Sequence, residues 1–209
     1  MRYFLLFAFS LFLVSCSHRT DYMTRFHEDG RAKPVAAIAS MIDTSSFELP
    51  WSISEELTSM ISSQIRQGGK IFVVAKEDDA FSENPFGADL SWVKREFSDQ
   101  EFAVFLELVE HEIVPAAKSK NDLPQEISSH LNMAVRLRVV DNRGATPKIV
   151  LQEIVKDTYF IPKSVSEETH SITWGNPAFA KTPMGIAHAQ LTRELTSRIS
   201  DYILLAKSR

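Results

Sequence analysis

Two apolar runs flanking a helical stripe constrain this chain more than any other feature. Pro34-Val35-Ala36-Ala37-Ile38-Ala39-Ser40-Met41-Ile42, closed by Asp43, is a nearly continuous stretch of small and β-compatible residues, as a strand buried on both faces requires. After Thr44 to Pro50, Ser52 and Glu55 stand in capping-box spacing, and Ile53, Leu57, Met60, Ile61 and Ile65 fall on one helical face, with Gly68-Gly69 as the stop. Lys70 to Ala75 then reads as a second strand. The result is a β-α-β unit over Val35 to Lys76, whose right-handed crossover makes the two strands parallel.

The rest of the chain extends this start into a sheet. Asp89 to Phe97 has room for a short helix. Glu101 to Val114 fits two periods: Phe102, Phe105, Leu106, Val109 and Ile113 suit a helix, while Val104, Leu106 and Leu108 alternate as in a strand, and we assign a strand. Met133, Val135, Leu137 and Val139 alternate with Asn132, Arg136 and Arg138, which predicts one arm of a hairpin. Asp141-Asn142-Arg143-Gly144 supplies its turn, with Gly144 suited to a positive φ, and Ile149 to Phe160 returns until Pro162. Breaks at Glu153 and Asp157 predict a bulge or an edge position. Lys163 to Lys181 reads as a loop containing Trp174. Thr182-Pro183 opens a long C-terminal helix with Met184, Ala187, Leu191, Leu195 and Ile199 as its stripe, and Tyr202, Ile203 and Leu204 continue the buried face. The fold class is therefore α/β in the α+β sense: a mixed sheet of about five strands beginning with the β-α-β unit and packed by helices.

Ahead of this domain, Met1-Arg2 is a positive end and Tyr3 to Val14 is an apolar run too short to span a bilayer as a helix, which needs roughly 20 residues. Leu13-Val14-Ser15 leads to Cys16, the single cysteine of the 209 residues. Bulky Leu13 is a poor fit to an ordinary signal-peptidase site. Leu13, Val14, Ser15 and Cys16 instead resemble the lipobox of bacterial lipoproteins, in which the cysteine thiol and freed amine carry acyl chains. The resemblance implies residues 1–15 as a lipoprotein signal and Cys16 as the attachment point. Ser17 to Pro34 is polar, mixed in charge and without periodicity, so residues 16–34 read as the lipidated cysteine and a flexible tether to a single domain over 35–209. Two or more chains hold a protein stably in a bilayer. Ser17, where an aspartate would signal retention, implies an outer-membrane, periplasm-facing location.

Composition removes several functional classes. The net charge of −4 comes without long runs of one sign, so neither a nucleic-acid surface nor a polybasic membrane patch is indicated. A lone cysteine cannot form an internal disulfide. Gly68-Gly69-Lys70 lacks phosphate-loop spacing, and His111-Glu112 begins a zinc-protease motif that Pro115 interrupts. No nucleophile elbow is present, and His18, His27, His111, His130, His170 and His188 have no ligand spacing. Glu107, Glu110 and Glu112 with His111 could form an acid/base group, but a solvated strand edge is the simpler reading. No catalytic residue, metal ligand or cofactor site is assigned. Of Trp51, Trp92 and Trp174, the last is the candidate for a partner surface.

The stretch from Val35 to Asp43, Ser54-Glu55-Glu56-Leu57 and Phe72-Val73-Val74, with the hairpin Leu137-Arg138-Val139-Val140-Asp141 to Gly144, resembles a group of envelope proteins. These are the curli-secretion channel, the penicillin-binding-protein activator lipoprotein and the amino-terminal domain of the Tol propeller protein. Asp99-Gln100-Glu101-Phe102 departs from the group's usual approach to its third strand. An uncharacterised chlamydial lipoprotein group is also similar. The resemblance implies a lipid-anchored, non-enzymatic module that docks an envelope protein. A protomer of an oligomeric outer-membrane pore, or an envelope hydrolase, is the alternative. Glu107 and Glu153 interrupt the apolar faces that a pore strand needs.

Overall fold

Alternation decides which faces of the long strands are buried. The computed structural model describes residues 24–75, 81–116, 128–162 and 172–209. Among these residues are six strands: β1 (Val35–Ile38), β2 (Ile42–Asp43), β3 (Phe72–Ala75), β4 (Phe102–Pro115), β5 (Ser129–Asp141) and β6 (Lys148–Ile161). Three α-helices accompany them: α1 (Ile53–Gln67), α2 (Ser91–Glu96) and α3 (Pro183–Lys207). The sheet order is β3-β1-β4-β5-β6, with β2 adding to β4 beyond β1. β1 is parallel to β3 and β4, and β4, β5 and β6 run antiparallel in turn. The β-α-β start and the mixed sheet are as the sequence predicts.

Helices α1 and α3 cover one face. Ile53, Leu57, Ile61 and Ile65 of α1 and Ala187, Leu191, Leu195, Ile199 and Ile203 of α3 join Phe102, Val104, Leu106, Leu108, Met133, Val135 and Leu137 in the main core. Burying each large aliphatic side chain contributes about 1.5–3 kcal/mol. Ser52 caps α1 by accepting the Glu55 N–H through its side chain at 3.2 Å. The stripes differ from expectation at their ends: Tyr202 is 40% exposed and Leu204 only partly covered. On the other face, α2 and its flanking loop make a smaller core in which Trp92, Phe97 and Phe105 pack with Phe81. Arg138 closes that side, donating to the carbonyls of Pro85, Phe86 and Gly87 at 2.7–3.0 Å. Such satisfaction is what allows a guanidinium to be buried.

Two local expectations are corrected and one is resolved. Gly144 lies outside the positive-φ region, since strand β5 ends at Asp141 and β6 resumes only at Lys148, so the longer loop reverses the chain without it. The returning arm is the edge strand, the second of the two outcomes that the breaks at Glu153 and Asp157 predict, and its bulge falls near the turn, opposite Val139/Val140. Glu153 breaks the alternation because it meets Arg198 of α3 at 3.0 Å along the edge strand. The fold also reaches back before Val35: Lys33 donates its N–H to the Arg25 carbonyl at 2.9 Å, and Phe26 bridges to Ala32. Only the earlier part of the expected tether lies outside the described residues.

Candidate functional site

A second bulge, in β4 just after Leu108, builds the candidate site. Before it, Leu108 faces the helices opposite Val135; after it, His111 does so opposite Met133, with Glu110 and Glu112 turned to the other side. The extra residue reverses the alternation. His111 and Ile113 therefore enter the helix-covered layer, and Glu110 instead pairs with Lys156 at 2.6 Å while Glu107 pairs with Arg136 at 2.9 Å. The structure does not bring these carboxylates to His111.

What His111 does meet is His188, with the two Nε2 atoms 3.0 Å apart. His188 Nδ1 lies 2.7 Å from Glu56 Oε1, and Glu56 Oε2 accepts the Trp51 indole N–H at 2.7 Å. Glu56 and His188 are fully buried, and His111 is 2% exposed. A buried chain thus runs from Trp51 through Glu56 and His188 to His111, joining α1, α3 and β4. Burial, reinforced by the neighbouring His188, pushes the His111 imidazole down to about 3, so at neutral pH it is uncharged. One hydrogen is shared between the two Nε2 atoms, and His111 Nδ1 is buried with no hydrogen-bond partner.

Above this chain lies an apolar pocket of about 370 Å³. Trp51, Phe47 and Phe179 form its boundary with the polar chain. Phe47 packs on His111 at 4.9 Å, Phe179 on His188 at 6.0 Å, and Trp51 stands edge-on to Phe179 at 5.3 Å. Leu49, Ile113, Ile161 and Met184 complete most of the lining. Thr182 contributes its hydroxyl to α3, donating to the Phe179 carbonyl and accepting from the Gly185 N–H. A Cβ on Gly185 would stand 2.1 Å from the Phe179 carbonyl oxygen. Gly185→Ala is accordingly expected to lower stability by about 1–3 kcal/mol and to loosen this wall, as urea unfolding and near-UV dichroism would register.

Chemically the arrangement can hold and move a proton, but no hydroxyl or thiol among the described residues is hydrogen-bonded to either imidazole Nε2. The described residues contain no cluster of three or more metal-ligating side chains. Cys16, with Leu13, Val14 and Ser15, lies outside the described residues, so no geometry attaches to the expected lipid site. Trp174 is half-buried on a turn, two residues from the pocket-lining Ile172. Sequence reasoning missed Glu56, His188 and His111 as a unit. The available signal was that Glu56 lies three residues after Ile53, and His188 three before Leu191, so each occupies the apolar stripe of its helix.

No curated protein matches the chain. Among solved structures, a hypothetical protein from Chlamydia trachomatis shares 26% identity, covering 82% of this chain and 98% of that one, at a TM-score of 0.66. This accords with the chlamydial likeness read in the sequence. A Xanthomonas campestris protein shares the fold at 7% identity and a TM-score of 0.52, covering 85% of this chain and 90% of that one. A minor lipoprotein from Acinetobacter baumannii superposes more loosely, at 12% identity and a TM-score of 0.41, covering 80% and 92%. The described helices include none long and apolar enough to cross a membrane. With residues 22–207 matched by its model, the chain belongs to a family of unknown function, DUF7499.

Proposed function

We propose that this chain is a bacterial envelope lipoprotein whose folded domain is a non-enzymatic module that binds an envelope protein. Acyl chains on Cys16, behind the lipobox residues Leu13, Val14 and Ser15, hold it at the membrane, and Ser17 directs it to the periplasmic face of the outer membrane. The apolar pocket is the observation that carries the binding role. Its size falls in the usual range for binding sites, and the polar groups of Trp51 and Thr182 are already engaged in the fold. None of its described lining residues is cationic, so a fatty-acid carboxylate or a phosphate finds no counter-charge there. Apolar side chains of a protein need none. Trp174, half-buried and two residues along the chain from the pocket-lining Ile172, is the aromatic anchor in this reading.

A photoreactive residue in place of Glu48, at the pocket rim, tests this in cells. The expected result is a discrete adduct with one envelope protein, lost when Trp51→Ala is added and absent when the probe replaces Lys70. Equal labelling from Glu48 and Lys70 would contradict it.

A further inference from the structure

Resting on the lipid-anchor reading, we propose that one end of the domain is a membrane-contact surface that lies on lipid headgroups and holds the pocket away from the bilayer. The N-terminal turn sits beside the start of the sheet: Arg25 stacks over the Phe72 ring at 5.2 Å, and Phe72 pairs with Val35. The β5–β6 loop and the C-terminus of α3 reach the same end, because Asp141 pairs with Phe102 and Lys207 bonds to Glu101, whose carboxylate accepts the Val35 N–H. Three separate segments place large apolar side chains in solvent there: Phe26 at 58% exposure, Ile149 at 43% and Leu205 at 50%.

Charge at this end suits phosphate headgroups. Asp29, Glu101 and Asp141 are each tied to a local cation, Arg31, Lys207 and Arg143 respectively. Arg25, Lys70, Lys148 and Arg209 remain exposed among the apolar groups, with Glu28, Asp99 and the carboxylate of Arg209 as exposed acids nearby. Apolar side chains set among cations are the composition of a surface that rests in a bilayer interface. The covalent path agrees. From Cys16 to Thr24 the chain can span at most about 28 Å, so it keeps this end near the membrane. The pocket residue Ile113 lies on the order of 35 Å away along β4 from Phe102. With this end on the headgroups, the pocket lies at the far end of the domain and faces the periplasm.

Because lipidation consumes the only native thiol, a new cysteine can be labelled alone. Full-length lipidated protein carrying Phe26→Cys, Leu205→Cys or, as the pocket-end control, Glu48→Cys is labelled with a small fluorophore. It is then reconstituted in phosphatidylethanolamine–phosphatidylglycerol vesicles containing brominated lipid. Strong quenching of the labels at 26 and 205, with the label at 48 unquenched, is expected. Arg25→Glu with Lys148→Glu should reduce the quenching. Protein that floats with the vesicles while all three labels stay unquenched, or with 48 quenched most, overturns the orientation alone. Protein that fails to float overturns the anchor and the orientation with it.

Discussion

Replacing Glu56 by alanine is expected to destabilise the protein by about 3–5 kcal/mol, because two buried groups lose their acceptor, at about 1–3 kcal/mol each, and the side chain's volume is left empty. The carboxylate is fully buried and holds both the Trp51 indole N–H and His188 Nδ1, each at 2.7 Å. Deleting it leaves both without their acceptor in a site that water does not reach. Glu56→Gln retains an acceptor oxygen and should cost less, about 1–3 kcal/mol. Urea unfolding followed by Trp92, which lies in the other core, separates this loss from a local change at Trp51. A Glu56→Ala variant within 1 kcal/mol of the parent would contradict the claim that this chain organises the layer between α1, α3 and β4. The same variant should also free Trp51 and reduce crosslinking at the pocket.

Acid should weaken the fold through His111. In the unfolded chain its imidazole takes up a proton near 6.5, whereas in the folded protein burial and His188 delay this to about 3. Between those values the unfolded state holds the extra proton, so the contribution of His111 is complete above 6.5 and shrinks as pH falls through the window. The loss approaches about 1.4 kcal/mol per pH unit and amounts to roughly 4–5 kcal/mol by pH 3. His111→Gln keeps a hydrogen-bonding end beside His188 but does not titrate. Its stability should therefore fall less steeply from pH 6.5 to 4 than that of the parent, whatever its level at pH 7. Parallel profiles for the two proteins would place His111 in contact with solvent and contradict its burial. The groups around it are His188 on α3, Glu56 on α1 behind it, and the uncharged ring of Phe47.

The elements legible in the sequence are those whose signals are local. The Ser52 cap, the Gly68-Gly69 stop, the Met133 to Val139 alternation and the Thr182-Pro183 start each require only neighbours within a few residues, and the structure contains all of them. Strand β4 was ambiguous for a physical reason. Its bulge makes buried residues step from Leu108 to His111 by three, which imitates a helix within a strand. That same step hid the site. With unbroken alternation, His111 would share a face with Glu107, which makes a solvated strand edge the simpler reading of the sequence. Its true partners lie 77 and 132 residues apart along the relay, from His111 to His188 and from His188 to Glu56. No spacing rule links such positions. The pocket was equally illegible, since it needs the β2–α1 loop, the ends of three strands and the start of α3 at once.

The lipid on Cys16 is the claim on which location, orientation and partner all depend. Intact mass and detergent partitioning of the protein from its native membrane, beside a Cys16→Ala variant, test it most directly. The account predicts a chain beginning at Cys16 with added acyl mass, found in the detergent phase, and loss of both in the variant. An unlipidated mass with the parent in the aqueous phase would contradict it.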